Sequence, residues 1–215
     1  MKQPKEDLSN EIIKAALYLK KQRLTPGHTG NVSQRFENGM LITPTGMSYE
    51  GLAAKDIVYV SNNGHWDKNG PTPSSEWQFH LAAYKANPSV NALVHTHSNY
   101  ATTLACAGKE IPAFHYMIAA AGGDTIPLVP YAIFGSKELS DNVAKAFQTR
   151  KACLMAHHGM LAGEKNLEKA IELTEIVEDL SHQYLAVCQL GAPKLLSKSQ
   201  MEEVLEKFKT YGQQK

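Results

Sequence analysis

Two short stretches carry residue types that could do metal chemistry: PSSEWQFH at 73–80 and VHTHSN at 94–99. Side chains alternate faces along a β-strand, so His95 and His97 point the same way while Thr96 points oppositely. Two imidazoles can then grip one divalent cation. Zinc takes three or four ligands and keeps one position open at catalytic sites, so a third histidine and a carboxylate are needed. The pair His157-His158 offers a third imidazole. In a strand only one of that pair could join the same metal, and the spacing alone does not choose between them. Glu76 falls near the start of a helix, where the positive end of the dipole favours an anion whatever its role. Beside a divalent metal it could serve twice, as a fourth ligand that lets go when substrate arrives and as the group that then shuttles a proton.

Three segments are rich in small residues: TGNVS at 29–33, TPTG at 43–46 and PSS at 73–75. Backbone N–H groups near glycine and at a helix start, with Ser and Thr hydroxyls, can cradle a phosphate without a lysine. Ordinary turn chemistry also accounts for each segment taken alone.

These residues must be positioned by surrounding elements. Apolar residues at Ile12, Ile13, Ala16 and Leu17 predict an amphipathic helix over 8–23, ended by TPG at 25–27. Short β-rich runs follow in NVSQRF, GMLIT and DIVYVS, with Asn38-Gly39 and Asn63-Gly64 at hairpin-turn positions. A helix is expected over 75–85, then the strand VNALVHTH, a helix through YATTLACAG, and a loop-rich segment at 111–135. A helix over 140–150 leads to the apolar strand KACLMAHH. Leu167, Ile171, Thr174, Val177, Leu180 and Tyr184 mark a long helix stopped by Gly191. A last helix is expected to open with a capping box at Ser199-x-x-Glu202. Strands interleaved with helices imply a sheet covered by helices.

The chain as a whole narrows the partners. Its 215 residues suit one domain spanning 1–215, without repeats or low-complexity linkers. A net charge of +1 gives no strong field for nucleic acid or an anionic membrane, so a small polar substrate is the default. Cys106, Cys153 and Cys188 are odd in number and widely spaced, which argues for a reducing compartment. The opening MKQPKEDLSN lacks an apolar run, and a cytoplasmic location is expected.

The motifs GNVS, LITPTG, PSSE, VHTH, IPAFHYMIAAAGG, PYAIFG and HHG, in this order, resemble the class II aldolase/adducin family from about Asn10 to the FKTYG at 208–212. The resemblance implies a three-layer α/β/α fold with a mixed, mostly antiparallel central sheet. It also implies a homotetramer with active sites between subunits. Carried over by position, it makes His95, His97 and His158 ligands of Zn2+, with Glu76 as resting-state ligand and acid/base. Gly30, Asn31, Thr45, Gly46, Ser74 and Ser75 fall on positions that hold the substrate phosphate. Tyr116 matches a catalytic tyrosine that reaches the neighbour's site, and Phe134 and Tyr211 match residues on the aldehyde side.

The implied reaction is reversible cleavage of a ketose 1-phosphate, with L-fuculose 1-phosphate first, to dihydroxyacetone phosphate and a short aldehyde such as L-lactaldehyde. The same scaffold also resembles pentulose-phosphate 4-epimerases, sugar-acid phosphate decarboxylases and methylthioribulose-phosphate dehydratases, and a non-catalytic adducin-like module. Asp124 is a departure from the aldolase pattern towards the epimerases, which use an aspartate close to this segment. Glu rather than Asp after PSS points back to the aldolase.

Overall fold

The computed structural model describes residues 5–27 and 29–210. Helix α1 (Lys5–Lys21) buries Leu8, Ile12, Ala16 and Leu19 at helical spacing, with Glu6 and Asp7 in its first turn and Lys20 and Lys21 in its last. Those charges complement the helix dipole at both ends. Strands β1 (Asn31–Phe36), β2 (Gly39–Ile42) and β3 (Val58–Ser61) follow as antiparallel neighbours. Next come α2 (Trp77–Ala86), β4 (Ala92–Thr96) and α3 (Asn99–Cys106). The loop-rich segment holds a 3-10 turn at Tyr116–Ala121 and the two-residue strand β5 (Leu128–Val129). The chain then forms α4 (Lys137–Phe147), β6 (Ala152–Met155), β7 (Gly159–Glu164), α5 (Leu167–Leu190) and α6 (Lys198–Phe208).

The seven strands form one sheet in the order β3-β2-β1-β4-β7-β6-β5, antiparallel throughout except for the β5–β6 pair. Alternation along the strands divides the core between two faces. Met40, Ile42, Leu93, Cys153 and Leu161 pack beneath α2 and α4. Leu41, Ala92 and Val94 face α1, while Leu154, Met160 and Ala162 face α3, α5 and α6. This is the helix-covered, mostly antiparallel sheet that the sequence implied.

Four local expectations are corrected. Strand β7 was not anticipated, because Gly159 and Gly163 dilute its apolar pattern. Gly159 is sterically required, since a Cβ there would lie 2.4 Å from the Thr96 carbonyl, and a Cβ on Gly163 would press on the Leu93 side chain at 2.6 Å. The last capping box is Ser197 with Gln200, not Ser199 with Glu202: Ser197 Oγ accepts from the Gln200 N–H and Gln200 Oε1 from the Ser197 N–H. Ser136 caps α4 by accepting from the Leu139 N–H, so that helix starts before Ser140. The His157-His158 pair lies beyond the end of β6, in the turn to β7 rather than on a strand. Among the described residues, no helix is long and apolar enough to cross a membrane.

Candidate metal centre and active-site cleft

The β1–β4 pairing sets Asn31 opposite His95, and the β4–β7 pairing sets His95 opposite Leu161. His95 therefore sits in the middle of the sheet, fully buried on the face that carries α2. His97 is just past the end of β4 on the same face, as strand alternation requires. His158 arrives from the β6–β7 turn. His157 adopts a left-handed φ of 56° there, a conformation rare for a residue with a Cβ. Glu76 is the N-cap residue of α2 rather than a first-turn residue, and its side chain does not cap the helix. It turns to the histidines instead.

The result is a compact donor set. Ligand atoms of Glu76, His95, His97 and His158 all lie within 4.8 Å of one another. His95 Nε2 is 3.0 Å from His97 Nε2 and 3.2 Å from Glu76 Oε2, and His158 Nε2 is 2.8 Å from Glu76 Oε1. Tetrahedral ligands at 2.0–2.1 Å from a zinc-sized ion would stand about 3.3–3.4 Å apart, close to these separations. The hydrogen bond behind His95 agrees with this. His95 Nδ1 donates to the Met160 carbonyl at 2.8 Å, which leaves the Nε2 lone pair facing the other donors. Lone pairs 3.0 Å apart repel unless a cation or a proton lies between them. The donor set fits a divalent metal.

Electrostatics at the cluster follow from burial and crowding. Burial alone would push the Glu76 carboxyl up, but His95 and His158 together outweigh it and hold the group well below the usual carboxylate range. Burial lowers the His97 imidazole to about 3, with His95 and His158 acting in the same direction. Neutral imidazole is the form that ligates a metal.

Above the cluster opens a cleft of about 360 Å3. One wall is Gly30, Asn31, Thr45, Gly46, Ser74 and Ser75, with Glu76, His97 and His158 at its base. Two of these segments are laced together although they are distant in sequence: the Thr45 N–H donates to the Thr72 carbonyl and the Ser74 N–H to the Thr43 carbonyl, both at 3.0 Å. Gly30 must be glycine, since its φ is 81° and a Cβ would lie 2.6 Å from the His95 carbonyl. Asn31 Nδ2 donates to Glu76 Oε2 at 2.9 Å and to Ser74 Oγ at 3.0 Å, joining this wall to the donor set. Among the described residues no Lys or Arg lines the cleft. The lining also includes Tyr131, Ala132, Ile133 and Phe134, with His157.

Other singled-out residues lie elsewhere. Tyr116 is exposed, stacks on His115 with ring centroids 4.9 Å apart, and does not line this cleft. Tyr211 lies outside the described residues. Asp124 pairs with Arg150 Nη2 at 2.8 Å and also stands outside the cleft lining.

Sequence reasoning missed two residues behind the site. Glu178 of α5 accepts from Ser98 Oγ at 2.7 Å and from the Tyr100 and Ala101 N–H groups at 2.9 Å. It thereby satisfies the start of α3 directly after His97, and no local motif signals that long-range cap. His80 is fully buried, and burial lowers its imidazole to about 3, aided by His95. Its signal was its spacing, one helical turn after Glu76 on the same face.

Comparison with known proteins agrees with this geometry. Residues 10–185 match the family model described as the class II aldolase and adducin N-terminal domain. Over 206 residues the chain is 49% identical to the L-fuculose phosphate aldolase of Escherichia coli (strain K12), covering 95% of each protein. It is 47% identical over 206 residues to the 5-methylthioribulose-1-phosphate/5-deoxyribulose-1-phosphate aldolase of Rhodospirillum rubrum, covering 95% of this chain and 92% of that one. A solved L-fuculose 1-phosphate aldolase superposes with a TM-score of 0.90 at 40% identity, over 94% of this chain and 96% of that chain. The protein therefore belongs to the class II aldolase and adducin family.

Proposed function

We propose that the chain is a zinc-dependent aldolase that reversibly cleaves a ketose 1-phosphate, with L-fuculose 1-phosphate as first substrate, to dihydroxyacetone phosphate and a short aldehyde. The observation that carries this reading is the donor set of Glu76, His95, His97 and His158 at the foot of a cleft with one polar and one apolar wall. Retro-aldol cleavage leaves negative charge on the ketone oxygen of the phosphate-bearing fragment. A divalent metal held by the three histidines supplies Lewis-acid stabilisation of that charge. Glu76, letting go of the donor set when substrate arrives, carries a proton to and from the adjacent carbon. Gly30, Asn31, Thr45, Gly46, Ser74 and Ser75 hold the phosphate through N–H and hydroxyl groups and so fix which end of the sugar faces the histidines. Tyr116 serves the aldehyde oxygen of a neighbouring subunit in a cytoplasmic homotetramer. Its exposure and its absence from the lining of its own cleft support that reading.

A second substrate has specific support: the relative at 47% identity is named for 5-methylthioribulose 1-phosphate and 5-deoxyribulose 1-phosphate. All three ketoses yield dihydroxyacetone phosphate and differ only in the aldehyde. The deciding experiment incubates the zinc-loaded protein with each and identifies the fragments. Release of dihydroxyacetone phosphate in step with substrate loss, fastest from L-fuculose 1-phosphate, is expected. A C4-inverted sugar phosphate without free fragments would assign an epimerase instead, and carbon dioxide from a sugar-acid phosphate a decarboxylase. Light scattering should report about four chains per particle, the closed assembly that this reading requires. A stable, active monomer would remove Tyr116 from the mechanism.

A further inference from the structure

Behind the cleft, Ser33, His80 and Tyr84, to which the proposed reaction gives no role, continue a buried polar chain from Glu76 and Asn31. Asn31 and Ser33 alternate along β1 on the face towards α2, while Glu76, His80 and Tyr84 recur at successive helical turns on α2. The two rows interdigitate. His80 Nε2 is 2.5 Å from Asn31 Oδ1, His80 Nδ1 is 2.7 Å from Ser33 Oγ, and Ser33 Oγ is 2.8 Å from Tyr84 Oη.

The donors in this chain can be assigned by elimination. A carboxylate only accepts, so the Asn31 amide must turn Nδ2 towards Glu76 Oε2 and leave Oδ1 for His80. That oxygen also only accepts, so His80 carries its proton on Nε2 and presents a lone pair at Nδ1. Ser33 then donates to Nδ1 and accepts from the Tyr84 hydroxyl. Every hydrogen bond points the same way, from Tyr84 through Ser33, His80 and Asn31 to Glu76. Aligned bonds of this kind polarise one another in a dry interior.

We infer that His80 is a positioning residue: its Nε2–H locks the Asn31 amide with Nδ2 towards Glu76, and so holds the Glu76 carboxylate in one orientation at the cleft. This rests on the proposed role of Glu76. Without the His80 donor, the Asn31 amide could flip and set its carbonyl oxygen against the carboxylate, a repulsive contact. A histidine merely satisfied in the core would stabilise the fold without that directional effect.

A double-mutant cycle separates the two roles. His80→Phe keeps a ring against Phe79, whose centroid lies 4.9 Å away, but removes the donor. Turnover should fall about 10- to 100-fold, as for other partners behind a ligand set. In an Asn31→Ala background the same change should cost less than about twofold more, because its effect passes through Asn31. His80→Gln, whose amide can still donate to Asn31 Oδ1, should recover most of the turnover. Losses that multiply in the double variant, or normal turnover in His80→Phe, would overturn the inference. Nitrogen-15 spectra of the wild-type imidazoles provide a readout that needs no substrate: His80 should carry its proton on Nε2, and a proton on Nδ1 would reject the chain. If the wild type cleaves no ketose phosphate, the functional reading fails while that spectrum still decides the hydrogen-bond order. If His80→Phe does not fold, His80→Gln and the spectrum decide together, and inactive, folded His80→Gln would count against the inference.

Discussion

The base and the far wall of the cleft are built in opposite ways. At the base, His95 is 0% exposed and Glu76 8%, and each is fixed by strand pairing or by side-chain hydrogen bonds from separate segments. The far wall consists of Tyr131, Ile133 and Phe134, 57–61% exposed on the irregular segment between β5 and α4. Precise placement costs conformational entropy, so it is concentrated where donor geometry has to be held to fractions of an ångström. A wall that only has to exclude water and touch an apolar group can be looser. On the proposed function, the base determines which reaction occurs and the wall determines which aldehyde takes part.

Disabling the base should have the largest effect. His95→Ala/His97→Ala removes two of the clustered imidazoles and should take bound metal from about one ion per chain to none, with cleavage lost to background. Elemental analysis and product assays check this. A chelated wild type that keeps full activity would end the metal reading. Within the turn, His158→Ala should lower metal content and His157→Ala should not, because His158 alone of that pair belongs to the donor set.

Glu76→Gln tests the base more narrowly. It preserves size and the contact with Asn31 but removes basicity, so turnover should fall by roughly 10²–10⁴ with the fold intact. Near-normal turnover would reduce Glu76 to a helix-start residue.

Backbone packing beneath the histidines should be the next most sensitive. A Cβ at Gly159 would meet the Thr96 carbonyl at 2.4 Å and His97 Cδ2 at 2.9 Å, so Gly159→Ala must push β4 and β7 apart. A loss of about 1–3 kcal/mol in unfolding free energy is expected, with weakened metal retention. Gly51→Ala is the control, since nothing lies within 4 Å of its added carbon. Equal melting temperatures for the two variants would contradict the rigid-base description.

The same contrast explains what could be read from the sequence. Period-two and helical patterns exposed most strands and helices, and an i, i+2 histidine pair announced a shared face, because those regularities are local. Strand β7 stayed hidden because its glycines answer to Thr96 and Leu93 across the sheet. The HHG pair was expected on a strand, yet it sits on a turn whose left-handed residue, His157, leaves His158 with the donor set. Glu178 was invisible for the same reason, since it answers to Ser98 eighty residues away, whereas His80 showed only its spacing from Glu76 and not its partners on β1. The spacing left His157 and His158 open, the family resemblance pointed to His158, and His158 is the one that joins Glu76, His95 and His97.

The smallest expected effect lies on the far wall, and there it should appear as selectivity rather than rate. Ile133 faces the cleft from an exposed loop and touches none of the four clustered donors through any hydrogen bond or ion pair. Shortening it with Ile133→Ala leaves Glu76 and the histidines in place, so dihydroxyacetone phosphate should still form. What changes is apolar area beside the leaving aldehyde. A buried methylene is worth about 0.8 kcal/mol, and this side chain is only partly covered, so a three- to tenfold change in relative kcat/KM is the expected scale. A methylthio group presents more apolar surface than the hydroxylated carbon of L-lactaldehyde, so 5-methylthioribulose 1-phosphate should lose more than L-fuculose 1-phosphate. Competition between the two substrates in one vessel, followed by aldehyde analysis, measures that ratio directly. An equal loss for both would place the wall outside substrate discrimination, whereas a fall in turnover as steep as that of Glu76→Gln would show that base and wall are not separable.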